Sequence, residues 1–166
     1  MYRDVQRMKD TWIYKLVLFI ALAITTLFLY GMYIQIIKGH PWGTSPMSNR
    51  GLIITVLLIV LIDILSLAFL RATELVVEVR EDGIYYQLKP FHKSLRRIGF
   101  SEIKKIEFIS GGLRYGIGIH FGVRWKAYTV SGKQVKIDLI NGSSVILSVS
   151  SIEKFKDALS QAGFWT

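Results

Sequence analysis

This chain offers few side chains able to do chemistry, and their spacing limits what they can do. The histidines, His40, His92 and His120, are scattered, and no cluster of Asp or Glu accompanies any of them. Metal sites draw several such ligands together, so this pattern points to surface or edge histidines. There is no cysteine, which removes disulfides, thiolate metal sites, iron–sulfur ligation and cysteine nucleophiles together. Gly111, Gly112, Gly116, Gly118, Gly122 and Gly132 crowd one stretch, but none opens a helix. Gly132-Lys133 also lacks the spacing of a phosphate-binding loop, and turns and strand bulges account for these glycines. No serine sits in a nucleophile elbow and no aspartate pair is set for acid–base work. The expectation is a protein that is not an enzyme, with no catalytic residues, no metal and no cofactor.

Asp63 stands alone in the otherwise uncharged run Gly51 to Leu70. Inside a bilayer a charged Asp costs on the order of 2.5–3.5 kcal/mol on insertion scales, so it calls for a partner. Ser66 lies at i+3 on the same helix, and an antiparallel helical hairpin brings Thr25 or Thr26 opposite. Asp63, Thr25, Thr26 and Ser66 are therefore the candidate helix–helix interface. Three readings stay open: an Asp protonated or bonded locally, a contact to a partner span, and an ion or proton path.

The second candidate set is basic: Lys89, Lys93, Arg96 and Arg97, with His92 among them, and the pair Lys104-Lys105. Beside an anionic leaflet each near-surface Lys or Arg adds about 1 kcal/mol of attraction. The set reads as contact with lipid headgroups, as contact with an acidic protein partner, or as a solvated face. The aromatics form no RNA-binding signature, so nucleic acid is not an expected partner.

The elements that must carry these residues follow from composition. Of 166 residues, 51% are hydrophobic and only 20% charged, against about 25% charged in ordinary soluble domains. Leu16 to Ile37 is uncharged and fenced by Lys15 and Lys38; Gly51 to Leu70 is fenced by Arg50 and Arg71. At 1.5 Å per residue each reaches the roughly 30 Å of a hydrocarbon core. Residues 1–70 thus read as an N-terminal cytoplasmic segment and a transmembrane hairpin, with spans at about 14–37 and 51–70 and an outer loop at 38–50. Trp12, Tyr14, Tyr30, Tyr33 and Trp42 sit near the span ends, as interfacial aromatics do. Arg3, Arg7, Lys9 and Lys15 precede the first span, only Lys38 and Arg50 lie between the two, and the second is followed by Arg71, Arg80 and Lys89. Positive flanks stay inside, so both termini are expected in the cytoplasm.

From residue 71 the pattern changes to period-two alternation, with 15 Lys and Arg against 9 Asp and Glu. Strands are expected at Glu74–Arg80, Ile84–Leu88, Leu95–Phe100, Ile106–Ser110, Tyr115–Phe121, Trp125–Val130, Val135–Leu139 and Ser143–Val149. Asp82-Gly83, Gly111-Gly112, Ser131-Gly132 and Asn141-Gly142 supply turns. With no helix between them, the strands predict an antiparallel meander of about seven, a bent sheet or barrel. Ser150, with Glu153 three residues on, caps a last helix whose stripe is Ile152, Phe155, Leu159 and Ala162.

The stretches Phe100-Ser101-Glu102-Ile103-Lys104-Lys105-Ile106-Glu107, Gly111-Gly112-Leu113-Arg114-Tyr115-Gly116, Ala127-Tyr128-Thr129-Val130-Ser131-Gly132 and Val135-Lys136-Ile137-Asp138-Leu139-Ile140-Asn141-Gly142 resemble the bacterial pleckstrin-homology-like domains. The chain is similar to bacterial proteins that join a two-span hairpin to one such domain. The fold class implied is an α+β membrane protein, with a transmembrane hairpin followed by a β-sandwich or barrel capped by a C-terminal helix. The function implied is a membrane-anchored scaffold at the cytoplasmic face of the bacterial inner membrane. Its expected partners are the lipid bilayer, a protein (a second copy or another membrane protein) and anionic lipid headgroups. The alternative is an accessory subunit of a larger transport or energy-converting membrane complex.

Overall fold

The computed structural model describes residues 2–109 and 117–164. The chain divides into a helical unit, residues 12–71, and a β unit made of residues 1–11 together with 72–166.

In the helical unit, α1 (Trp12–Met32) runs on through a π turn at Tyr33–Ile37, and α2 spans Asn49–Ala72. At 26 and 24 residues these helices are long and apolar enough to cross a membrane. Their side chains are arranged unlike those of a soluble core helix. Phe19, Leu22, Leu57, Ile62, Ile64 and Leu65 are each more than half exposed, while Ala21, Gly31, Leu52 and Val56, two of them small, are the buried ones. Small residues let helix backbones approach closely. Gly31 has such a role: a Cβ there would collide with the Trp42 ring, which also meets Phe28 edge-on at 5.5 Å. Trp42 therefore folds back onto the hairpin. Gln35 finishes the turn, donating to the Met47 carbonyl (2.7 Å) and to the Asn49 side chain (2.9 Å).

The β unit begins earlier in the chain than the hydrophobic pattern suggests. Residues 2–7, expected as part of a cytoplasmic tail, form strand β1 (Tyr2–Arg7) and pair antiparallel with β2 (Glu74–Arg80), from Tyr2 opposite Val79 to Arg7 opposite Glu74. One step beyond, the Met8 amide donates to the Thr73 carbonyl at 3.0 Å. The chain thus leaves for the helices and returns from them through neighbouring residues. Strands β3 (Gly83–Lys89) and β4 (Arg96–Gly99) complete a sheet ordered β1-β2-β3-β4. Charge is paired across and along its strands: Glu78, almost fully buried, is met by Arg3 of β1 at 3.4 Å and by Arg80 of its own strand at 2.6 Å, and Glu74 by Arg7 at 3.1 Å and Lys89 at 3.3 Å.

The second sheet holds β5 (Ile103–Ile109), β6 (Gly118–Phe121), β7 (Trp125–Thr129), β8 (Lys133–Leu139) and β9 (Ser144–Val149), in the order β5-β8-β9-β7-β6. Among the described residues nine strands replace the expected seven or so, and they do not form a simple antiparallel meander. β9 inserts between β7 and β8 and runs parallel to β7, Trp125 opposite Ser144. The crossover needs no helix, because only two strand spacings, about 10 Å, separate β7 from β8, and residues 130–132 can reach that far. Gly132 makes this passage possible. It adopts φ +84°, and a Cβ would lie 2.5 Å from the Val149 carbonyl oxygen. The Gly111-Gly112 turn, and part of the strand expected at Tyr115–Phe121, lie outside the described residues.

Helix α3 (Ile152–Gln161) is capped one residue later than expected: Ser151 accepts from the Lys154 amide at 3.3 Å and donates to Glu153 at 2.9 Å. Ser150 instead gives its amide (2.7 Å) and hydroxyl (2.8 Å) to the Asp4 carboxylate. The buried stripe is Ile152, Phe155, Ala158 and Leu159. Phe155 is fully shielded and meets both Tyr2 of β1 (5.8 Å) and Phe108 of β5 (6.5 Å), so one helix side chain joins the two sheets. Burying such a ring contributes about 1.5–3 kcal/mol.

Candidate functional site

Within the helical unit the polar residues singled out by the sequence are partly brought together. Thr25 Oγ1 donates to Asp63 Oδ2 at 2.7 Å, linking α1 to α2. The carboxylate is half-shielded, whereas Thr26 and Ser66 are exposed.

The basic set is divided by its partners. Lys89 is held by Glu74 (3.3 Å), Arg97 by Asp82 (3.1 Å) and Lys105 by Glu107 (2.7 Å). Burial alone would raise the Glu74 pKa, but the hydrogen bonds from Arg7 and Lys89 outweigh it and hold the carboxyl below its ordinary range. Lys105 is the main cause of the lowered Glu107 pKa. Lys93 and Lys104 are exposed. Arg96 opens β4 and lines a cleft of about 300 Å³ with Gly122, Arg124, Trp125, Lys126 and Ser144. Arg124 and Lys126 are the additions here, brought beside Arg96 by the β6–β7 hairpin. Period-two reading places them only as turn and strand residues, so nothing in the sequence marked them. A second cleft, about 360 Å³, holds Lys104 and Lys105 with Glu107 and Asp138. Acid and base are balanced there, and Asp138 is already engaged by Ser144 (2.6 Å) and Lys136 (3.0 Å). The Lys104-Lys105 pair is thus apart from the other basic residues and partly neutralised.

His92, expected at the surface, is buried. Its Nδ1 accepts from the Leu88 amide at 3.2 Å, its own amide donates to the Leu88 carbonyl at 2.8 Å, and its carbonyl accepts from Gln87 Nε2 at 2.9 Å. The ring packs edge-on against Tyr86 (5.8 Å) and Tyr128 (4.8 Å). Burial first, and the Arg96 charge second, lower its pKa. This histidine is an anchor that pins the 90–95 loop onto the core, so it drops out of the basic surface.

A cavity of about 520 Å³ lies between the β2–β3 turn and α3. Two of its three charged groups are already engaged: Arg80 with Glu78, and Asp82 with the Tyr85 hydroxyl (2.7 Å) and Arg97. Among the described residues no three of His, Asp and Glu converge as metal ligands. The polar feature that sequence reading missed is structural: Gln6, 4% exposed, accepts from Ser148 Oγ (2.7 Å) and the Ser131 amide (3.1 Å), and donates to Asp4 (3.0 Å).

Compared with protein-family profiles, curated proteins and solved structures, the chain matches none of them.

Proposed function

We propose that this chain is a non-enzymatic, membrane-anchored interaction module. Its helical hairpin spans the bacterial inner membrane, and its β unit, a pleckstrin-homology-like domain, works at the cytoplasmic face with both termini inside. The observation that carries the reading is the junction at Arg7–Glu74 and Met8–Thr73, where the two ends of the helical unit are held side by side by one strand pair. A hairpin so tied has both ends on one side, and the outward-facing Leu, Ile and Phe of α1 and α2 suit lipid. Two sheets closed by a C-terminal helix are in keeping with a pleckstrin-homology-like domain, while the parallel β7–β9 pair departs from a simple meander. The interaction role rests on edge strands β4 and β6, four residues each, which can accept a partner strand. The alternative is an accessory subunit of a larger complex, in which Asp63 and the outer loop 38–50 would make the contacts; of these, the Asp63 carboxylate is already met by Thr25.

The deciding experiment is mild solubilisation of the tagged chain from native membranes, with native size and co-purifying proteins measured. A self-oligomer or a defined protein partner supports the module. Stoichiometric multi-span subunits transfer support to the alternative, and a monomer with no companion overturns the interaction role.

A further inference from the structure

The 90–95 loop combines a fixed shape, exposed apolar side chains and positive charge at one end of the β unit. Lys89, where the loop begins, stands opposite Glu74 in the β2–β3 ladder, and Glu74 is two residues past the end of α2. Two extended residues and one strand spacing amount to about 12 Å. The loop therefore starts within that distance of the α2 terminus, however the two units are disposed. His92 points inward and is bonded to Leu88 and Gln87. Its neighbours turn the other way: Phe91 is 51% exposed, Leu95 36%, and Lys93 and Ser94 are exposed as well. From Gly83 to Ser101 there is no Asp or Glu, whereas Lys89, Lys93, Arg96 and Arg97 all fall in that stretch.

We propose that Pro90–Leu95 is an interfacial loop, seating Phe91 and Leu95 among the headgroups of the leaflet from which the helices emerge and placing Lys93 against acidic lipid phosphates. The inference rests on the membrane-anchored reading and adds the contact surface and its ligand class. An anionic bilayer is the occupant that the covalent geometry supplies at all times, and charge on the loop matches it. Because His92 fixes the backbone in advance, docking orders few additional groups. The paired cations Lys89 and Arg97 stay with Glu74 and Asp82, and Arg96, beyond the loop, lines the cleft with Arg124 and Lys126, which leaves Lys93 as the loop's own charge contact.

The absence of cysteine permits a clean test on the full chain. Ser94→Cys and, on α3, Ser160→Cys are labelled with an environment-sensitive fluorophore and reconstituted into phosphatidylcholine vesicles with and without phosphatidylglycerol, carrying bromine-quenching lipid. Ser160 belongs to the helix beside the β2–β3 turn, the end of β2 opposite Glu74. Strong quenching at Ser94 and little at Ser160 supports the proposal. Lys93→Ala should then lower the docked-to-undocked ratio about five-fold in phosphatidylglycerol vesicles and far less in neutral ones. Equal quenching at the two positions, or none at Ser94 in protein that survives a carbonate wash, overturns the loop while leaving the anchored reading standing. Release of the chain by that wash overturns both.

Discussion

Gln6→Leu tests whether β1 is an integral strand. The substitution keeps the approximate volume and removes the acceptor that a buried hydroxyl and a part-buried amide share. The Ser131 amide and the Ser148 hydroxyl each lose their bond to Oε1, at 3.1 and 2.7 Å. Ser148 is completely shielded and cannot turn to solvent. Leaving a buried donor without an acceptor costs about 1–3 kcal/mol and the part-buried Ser131 amide adds less, so roughly 2–4 kcal/mol is expected for the two together. In a β unit of this size 1 kcal/mol corresponds to about 4–8 °C, which predicts a fall of some 10–25 °C in melting temperature. The comparison is Arg3→Ala on the exposed face of the same strand, where Glu78 retains Arg80; about 1 kcal/mol or less is expected there. Both would be measured in mild detergent by tryptophan fluorescence and denaturant midpoint. A Gln6→Leu protein within about 0.5 kcal/mol of the parent, or no worse than Arg3→Ala, refutes the polar attachment of β1 to Ser131 and Ser148.

Three further outcomes follow from local geometry. Gly132 and Gly142 have nearly the same φ, +84° and +80°, but a Cβ at Gly132 would press on the Val149 carbonyl while one at Gly142 meets only Arg124 Nη1 at 4.0 Å; Gly132→Ala should cost more than 2 kcal/mol and Gly142→Asn under about 1 kcal/mol in the same melts. His92 binds fewer protons folded than unfolded because its pKa is lowered from 6.5. The stability it contributes is therefore complete above that pH and shrinks as pH falls below it. The protection factor at Leu88, the intrinsic base-catalysed exchange rate divided by the observed one, should fall over that range and lose the dependence in His92→Gln; a flat protection profile in the parent contradicts the anchor. A double-mutant cycle on Thr25→Val and Asp63→Leu should give a coupling of about 0.6–1.7 kcal/mol for the hairpin in detergent, and additivity would remove the Thr25–Asp63 bond from the account.

Much of the fold was legible where hydrophobic periodicity and turn residues coincide. Glu74–Arg80 and Asn141-Gly142 are found where their patterns place them, and simple hairpin geometry brings Thr25 opposite Asp63. Strand β1 was hidden because its shielded side is Tyr2, Asp4 and Gln6. Polar groups that satisfy one another inside a domain leave no alternation to detect, and Arg3 and Arg7 read equally well as topology signals. The β7–β9 pairing was hidden for another reason: a period of two tells which face a residue occupies but never which strand lies beside it. His92 could not be read as buried, since its partners are backbone groups of Leu88 and two rings, one of them 36 positions away at Tyr128.

The pairing of β1 with β2 also bears on how the protein is made. Arg7 and Glu74 are separated by 67 positions, so at about 5–20 residues per second the first strand waits roughly 3–13 seconds for its neighbour to be translated. On the membrane-anchored reading proposed above, the intervening hairpin inserts during that interval. A chain inserted with its ends on opposite faces of the bilayer would keep the two strands permanently apart, with the β2 edge uncovered and Gln6 without its serines. On that reading correct insertion is a precondition for completing the domain, and chains threaded wrongly would present an open sheet edge to cellular quality control.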